Sequence, residues 1–179
     1  MIIINNVLAL FLLLMTPDST QSVAEAPLPG TDAPRFWASN LDGTDFYLSR
    51  KVGDKARPNE KKPVVLSFFT TTCIPCRQEI PFLDSLQAEF PRVTIYLVNV
   101  GEEPQIVKNY IQKMQYKLPV LLDRYGQVAK KYNATITPTL VVIDTDGRIV
   151  FFERGFRAGE KTKIRQEIRN LEDVNSSQK

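Results

Sequence analysis

Histidine is absent from all 179 residues. That absence removes Ser-His-Asp hydrolysis, Cys-His proteolysis and every His-ligated metal site. Cysteine is scarce, with two in the chain. Two thiols without histidine do not close a tetrahedral zinc site, and no metal site is expected. Charge of one sign is not in excess: 23 Lys and Arg face 20 Asp and Glu, a net charge of +3. A balance this mixed gives no concentrated basic face for nucleic acid. Long hydrophobic runs are also missing. The longest near the start, Val7 to Met15, is too short to cross a bilayer comfortably. Whatever chemistry remains must run on two thiols, carboxylates, Lys, Tyr or hydroxyls.

What is present divides the chain into four parts. Val7–Met15 followed by the small residues of Ser22-Val23-Ala24 reads as a secretory signal over residues 1–24, cut after Ala24. No Lys or Arg precedes the apolar run, and an uncleaved membrane anchor is the competing reading. Cleavage would remove only Asp18 among charged residues, leaving a net charge of +4. Residues 25–34 (EAPLPGTDAP) read as a linker, 35–174 as one globular domain, and 175–179 as a disordered polar tail.

Within the domain the periodicity is α/β. A hairpin is expected over Phe36–Leu48 around Asp42-Gly43, then an exposed charged loop over Lys51–Lys62. Val64–Phe69 is a continuous apolar run of strand length, the pattern of a strand buried on both faces. Ile80, Leu83, Leu86 and Phe90 follow at helical spacing, and Val93–Val100 reads as a second buried strand. A helix from Pro104, a strand over Leu118–Leu122 and a short helix over Val128–Tyr132 come next. Thr139–Ile143 and Ile149–Phe152 read as strands joined at Asp146-Gly147. Ile164, Ile168 and Leu171 mark a last amphipathic helix.

The chemistry concentrates at Cys73-Ile74-Pro75-Cys76, between the first buried strand and its helix. A helix N-terminus offers unpaired N–H groups and a partial positive charge, both of which stabilise a thiolate. Cys73 is the expected exposed nucleophile and Cys76 the buried resolving thiol. Pro75 stiffens the ring that a disulfide would close. A structural disulfide or a Cu(I) site are the bland alternatives.

Residues 64–90, with 118–150, resemble thioredoxin-like proteins, most nearly the extracytoplasmic TlpA/ResA type of thiol–disulfide oxidoreductase. The resemblance implies a central mixed sheet flanked by helices, with an N-terminal hairpin and a helix–strand insertion at about Pro104–Leu122. It matches Cys73 and Cys76 to the redox pair and Pro81 to a helix-kinking proline. Pro138 matches a cis-proline facing the disulfide, and Thr137 before it would offer backbone groups to a bound substrate strand. Glu79 matches a carboxylate that tunes the thiols and moves a proton. Thr72 departs from the usual Trp, and Ser67 stands in place of thioredoxin's buried Asp, which leaves Glu79 as the substitute proton acceptor. The redox centre would be the Cys73–Cys76 disulfide itself, with no separate cofactor.

The implied partners are disulfide-bearing client proteins and a membrane thiol electron donor, for a monomer in the bacterial periplasm. Reduction of clients such as apocytochromes c is the expected direction. Two other classes compete. Thr70-x-x-Cys73 echoes a thiol peroxidase, although Leu66 replaces the proline of that pattern. A non-enzymatic Cu(I)-binding module is the third.

Overall fold

The computed structural model describes residues 27–176. The expected signal over 1–24 therefore lies outside the described residues. Among the described residues, no helix is long and apolar enough to cross a membrane.

Seven strands form one mixed sheet. They are β1 (Trp37–Asn40), β2 (Asp45–Tyr47), β3 (Val64–Phe69), β4 (Thr94–Val100), β5 (Val120–Asp123), β6 (Thr139–Ile143) and β7 (Ile149–Arg154). Their spatial order is β2-β1-β5-β4-β3-β6-β7. β3, β4 and β5 are mutually parallel, whereas β6, β7 and the β1–β2 hairpin run antiparallel to their neighbours. Among the described residues four α-helices accompany them: α1 (Cys76–Glu89), α2 (Pro104–Met114), α3 (Gln127–Lys131) and α4 (Lys161–Ser176). The expected mixed α/β sheet, hairpin and helix–strand insertion are all present.

β3 shows how the sequence builds two cores. All six residues are buried, because successive side chains leave opposite faces and both faces are covered. Val65 and Phe69 join Ile80, Leu83 and Leu86 of α1 and Ile164 and Ile168 of α4. Val64, Leu66 and Phe68 point the other way, toward Phe36, Phe46 and Tyr132. Ser67 therefore points to the α1 side, among apolar neighbours.

Two boundaries differ from expectation. Residues 30–33, read as linker, are docked on the sheet edge. Gly30 N–H donates to Ile149 O at 2.7 Å, Ala33 N–H donates to Gly147 O at 2.8 Å, and Ala33 is buried. Proline and small residues are what a tightly laid strap needs as much as what a loose linker needs, and local composition does not separate the two. At the other end α4 runs to Ser176, into the stretch read as a disordered tail, since polar residues continue an existing helix at little cost.

Candidate active site

β3 ends at Phe69, and the chain turns through Thr70–Pro75 into α1. Cys73 and Cys76 are joined as a disulfide, with Cα atoms 5.4 Å apart. Cys76 is the first residue of α1, and its N–H points at Cys73 Sγ from 3.2 Å. This is one of the helix's unpaired donors, aimed where thiolate charge would develop on reduction. Cys73 is more enclosed than expected. Cys73 is 7% exposed and Cys76 fully buried, so the order of accessibility holds but Cys73 is itself nearly covered. Its neighbours Ile74 and Pro75 are exposed, Ile74 by 70%.

Pro138 follows the one cis peptide bond among the described residues, Thr137–Pro138. Phe68 faces Thr139 across the β3–β6 ladder, so this bond lies beside the end of β3 from which the cysteine loop departs. Two chain segments 62 residues apart thus meet at one edge. Pro81 lies inside α1 on the exposed side. It has no N–H to give to the carbonyl of Arg77, which interrupts the helix ladder one turn after Cys76.

Glu79 is no surface residue. It is fully buried, one helical turn after Cys76. Desolvation pushes its carboxyl up to about 7. A hydrogen bond from Ser67 opposes that rise, and the charge of Glu160 adds to it. Ser67 Oγ donates to Glu79 Oε2 at 2.5 Å. The two positions are thus one unit, a hydroxyl on β3 holding a carboxyl on α1. The other oxygen, Oε1, is buried without a partner among the described residues.

Glu102, which the sequence did not point to, holds the loop from behind. It lies between β4 and α2, and it accepts the Thr71 N–H at 2.8 Å and the Thr71 hydroxyl at 2.6 Å. Asn99 at the end of β4 donates to it as well. Thr71 and Glu102 are 31 residues apart, beyond any local spacing rule. Ile136, 52% exposed and two residues before Pro138, was also missed, although an apolar residue in the polar run Asn133–Thr137 was a visible signal. Thr72 is exposed. The Thr70 hydroxyl lies 3.4 Å from that of Thr72, and Thr70 O accepts the Cys73 N–H. Asp123 and Asp144 do structural work: Asp123 accepts from Ala129 N–H, and Asp144 from the N–H groups of Asp146 and Arg148.

The chain is similar to known proteins over most of its length. The model of the AhpC/TSA family matches residues 29–152, a span that includes the docked strap. The thiol-disulfide oxidoreductase ResA of Bacillus thuringiensis is 30% identical over 134 residues, which are 74% of this chain and 73% of that protein. A crystal structure from Chlorobium tepidum, assigned as the thiol:disulfide interchange protein DsbE, superposes with a TM-score of 0.73. It has 26% identity and covers 82% of this chain and 99% of its own. The exposed lipoprotein thioredoxin of Streptococcus pneumoniae gives a TM-score of 0.64 at 29% identity, covering 77% of this chain and all of that one.

Proposed function

We propose, from the premise that this chain belongs to the AhpC/TSA family of thioredoxin-like proteins, that it reduces disulfides of extracytoplasmic client proteins. It is an enzyme of the thiol–disulfide oxidoreductase class. The observation that carries the reading is the closed Cys73–Cys76 ring, with a helix N–H on Cys73 Sγ and a proline after a cis bond at the same edge.

In the reduced protein, the Cys73 thiolate attacks one sulfur of a client disulfide. A Cys73–client bond forms, the client's own S–S bond breaks, and the released client thiolate takes up a proton. Cys76 then loses its proton and attacks Cys73 Sγ. The Cys73–Cys76 bond forms, the mixed disulfide breaks, and the client leaves with two more electrons. Glu79 accepts the Cys76 proton. A carboxyl near 7 in a buried site is suited to take and return a proton at neutral pH. Thr137 and Pro138 take the client strand, and exposed Ile74 and Ile136 on either side give apolar contact to its flanks. A thiol donor in the membrane restores the dithiol, and the protein works as a monomer in the periplasm, with apocytochromes c among its clients. No cofactor beyond the disulfide takes part.

Equilibration with glutathione buffers tests the direction. A reduction potential near that of thioredoxin, about −270 mV, or lower supports a reductant. A value near about −120 mV makes it an oxidant. Rapid consumption of peroxide in place of disulfides makes it a thiol peroxidase.

A further inference from the structure

The charge of this protein is concentrated at one pole. Residues 50–62 hold Arg50, Lys51, Lys55, Arg57, Lys61 and Lys62 against Asp54 and Glu60, a net +4. The whole chain carries only +3, so everything outside this loop sums to −1. Lys55, Arg57, Lys61 and Lys62 are exposed. The acids nearby are already engaged. Glu60 takes Lys51 at 2.8 Å and Arg57 at 3.0 Å, Asp54 takes Arg35 at 3.2 Å, and Asp146 takes Lys61 at 3.5 Å. Lys55 and Lys62 pair with no carboxylate among the described residues; Lys62 Nζ reaches only the Pro91 carbonyl, at 3.4 Å.

The position of this loop is set by the sheet. It leads into the N-terminal end of β3, and Gly53 N–H donates to Thr145 O in the turn between β6 and β7. The disulfide lies beyond the other end of β3, six residues and about 20 Å away. The N-terminal strap enters at the basic pole too. Asp32 pairs with Arg148 in that same turn, and Gly30 N–H donates to Ile149 O. Eleven residues, at most about 43 Å of chain, lie in sequence between Pro27 and the apolar run that ends at Met15. The basic loop and the docked strap therefore share one pole of the sheet, and the disulfide lies at the opposite end of β3.

We infer that the loop of residues 50–62 is a docking surface for the headgroups of anionic phospholipids, orienting the domain with its disulfide away from the bilayer. The charges sit on long side chains of an irregular loop, and the cavity beside it, of about 280 Å³, has the acids Asp32, Asp54 and Asp146 in its lining. That suits a headgroup layer better than a shaped protein partner. This inference is independent of the redox reading, because its readout is lipid binding.

The full-length protein should be sedimented with phosphatidylcholine vesicles, with and without phosphatidylglycerol, at rising salt. The expected result is a preference for the phosphatidylglycerol vesicles that fades as salt screens it. In a Lys55→Gln, Lys61→Gln, Lys62→Gln variant, that preference should fall by about fivefold for each charge removed. The apolar segment is identical in both proteins and cancels in the comparison. Unchanged insulin reduction by the variant would show that it is folded. Equal binding to the two kinds of vesicle overturns the inference, as does a variant that keeps the wild-type preference. Retention on an acidic polypeptide matrix without any preference for phosphatidylglycerol overturns it too, in favour of an acidic protein partner.

Discussion

Glu79 is the residue whose environment says most. Burial raises its carboxyl to about 7 from an ordinary 4.5, so the folded protein holds a proton that the unfolded chain releases. Stability from this group is complete below about pH 4.5 and is lost as pH rises through 7. In the oxidised protein neither cysteine titrates, and the effect is isolated. Urea unfolding of wild type at pH 5 and pH 8 should therefore show a drop of on the order of 2–3 kcal/mol that Glu79→Gln lacks. Identical pH dependence in the two proteins would place the carboxyl in water. Cys76→Ser should leave attack by Cys73 intact but stop resolution, so mixed disulfides with clients accumulate and can be identified by mass. Cys73→Ser should lose activity altogether. A Cys76→Ser protein that traps nothing in a host where wild type is active would deny Cys76 its resolving role.

At the scale of elements, the active loop is a short turn with little of its own to hold it, clamped by Glu102 from the β4–α2 connection. Glu102→Ala should leave the Thr71 N–H and hydroxyl without their acceptor. A stability loss of about 1–3 kcal/mol is expected, with slower disulfide exchange because the loop carrying Cys73 is no longer held. Glu102→Gln should recover part of both, since its amide oxygen still accepts one bond. An Ala variant with wild-type exchange kinetics would reduce Glu102 to a solvated side chain. The elements themselves were largely legible. β3 and β4 read as apolar runs because both faces of each are covered, and α1 and α4 as stripes because one face of each is. Boundaries moved by a residue or two where capping and fraying decide. The Glu102 clamp was not legible, because its partner Thr71 is brought near only by the pairing of β3 with β4.

For the molecule as a whole, the N-terminal strap is the part that ties distant regions together. It pairs with the β6–β7 turn at one edge of the sheet and then crosses to β1 near the other. Tyr132 at the end of α3 anchors it on the way, donating its buried hydroxyl to Pro34 O at 2.8 Å, and Lys131 donates to Arg35 O at 3.0 Å. Tyr132→Phe keeps the ring against Phe36 and Phe68 but strands the Pro34 carbonyl. The midpoint of denaturation should fall by the equivalent of about 1 kcal/mol with the redox potential unchanged. No loss of stability would mean that the strap lies on the sheet without help from that bond.

The sequence by itself determined the class of chemistry. The absence of histidine removed whole classes of chemistry, and the resemblance of residues 64–90 and 118–150 to thioredoxin-like proteins marked Cys73 and Cys76 as a redox pair. It also determined the α/β architecture, because hydrophobic periodicity is a local property that every strand and helix carries within itself. The tertiary structure decided which polar groups meet. Ser67 and Glu79 become one buried pair because the inward face of β3 meets α1. Pro138 reaches the disulfide edge through the antiparallel register of β6. The strap at residues 30–33 is ordered by hydrogen bonds to residues more than a hundred positions away. Such contacts depend on how elements pack, and spacing along the chain holds no record of them.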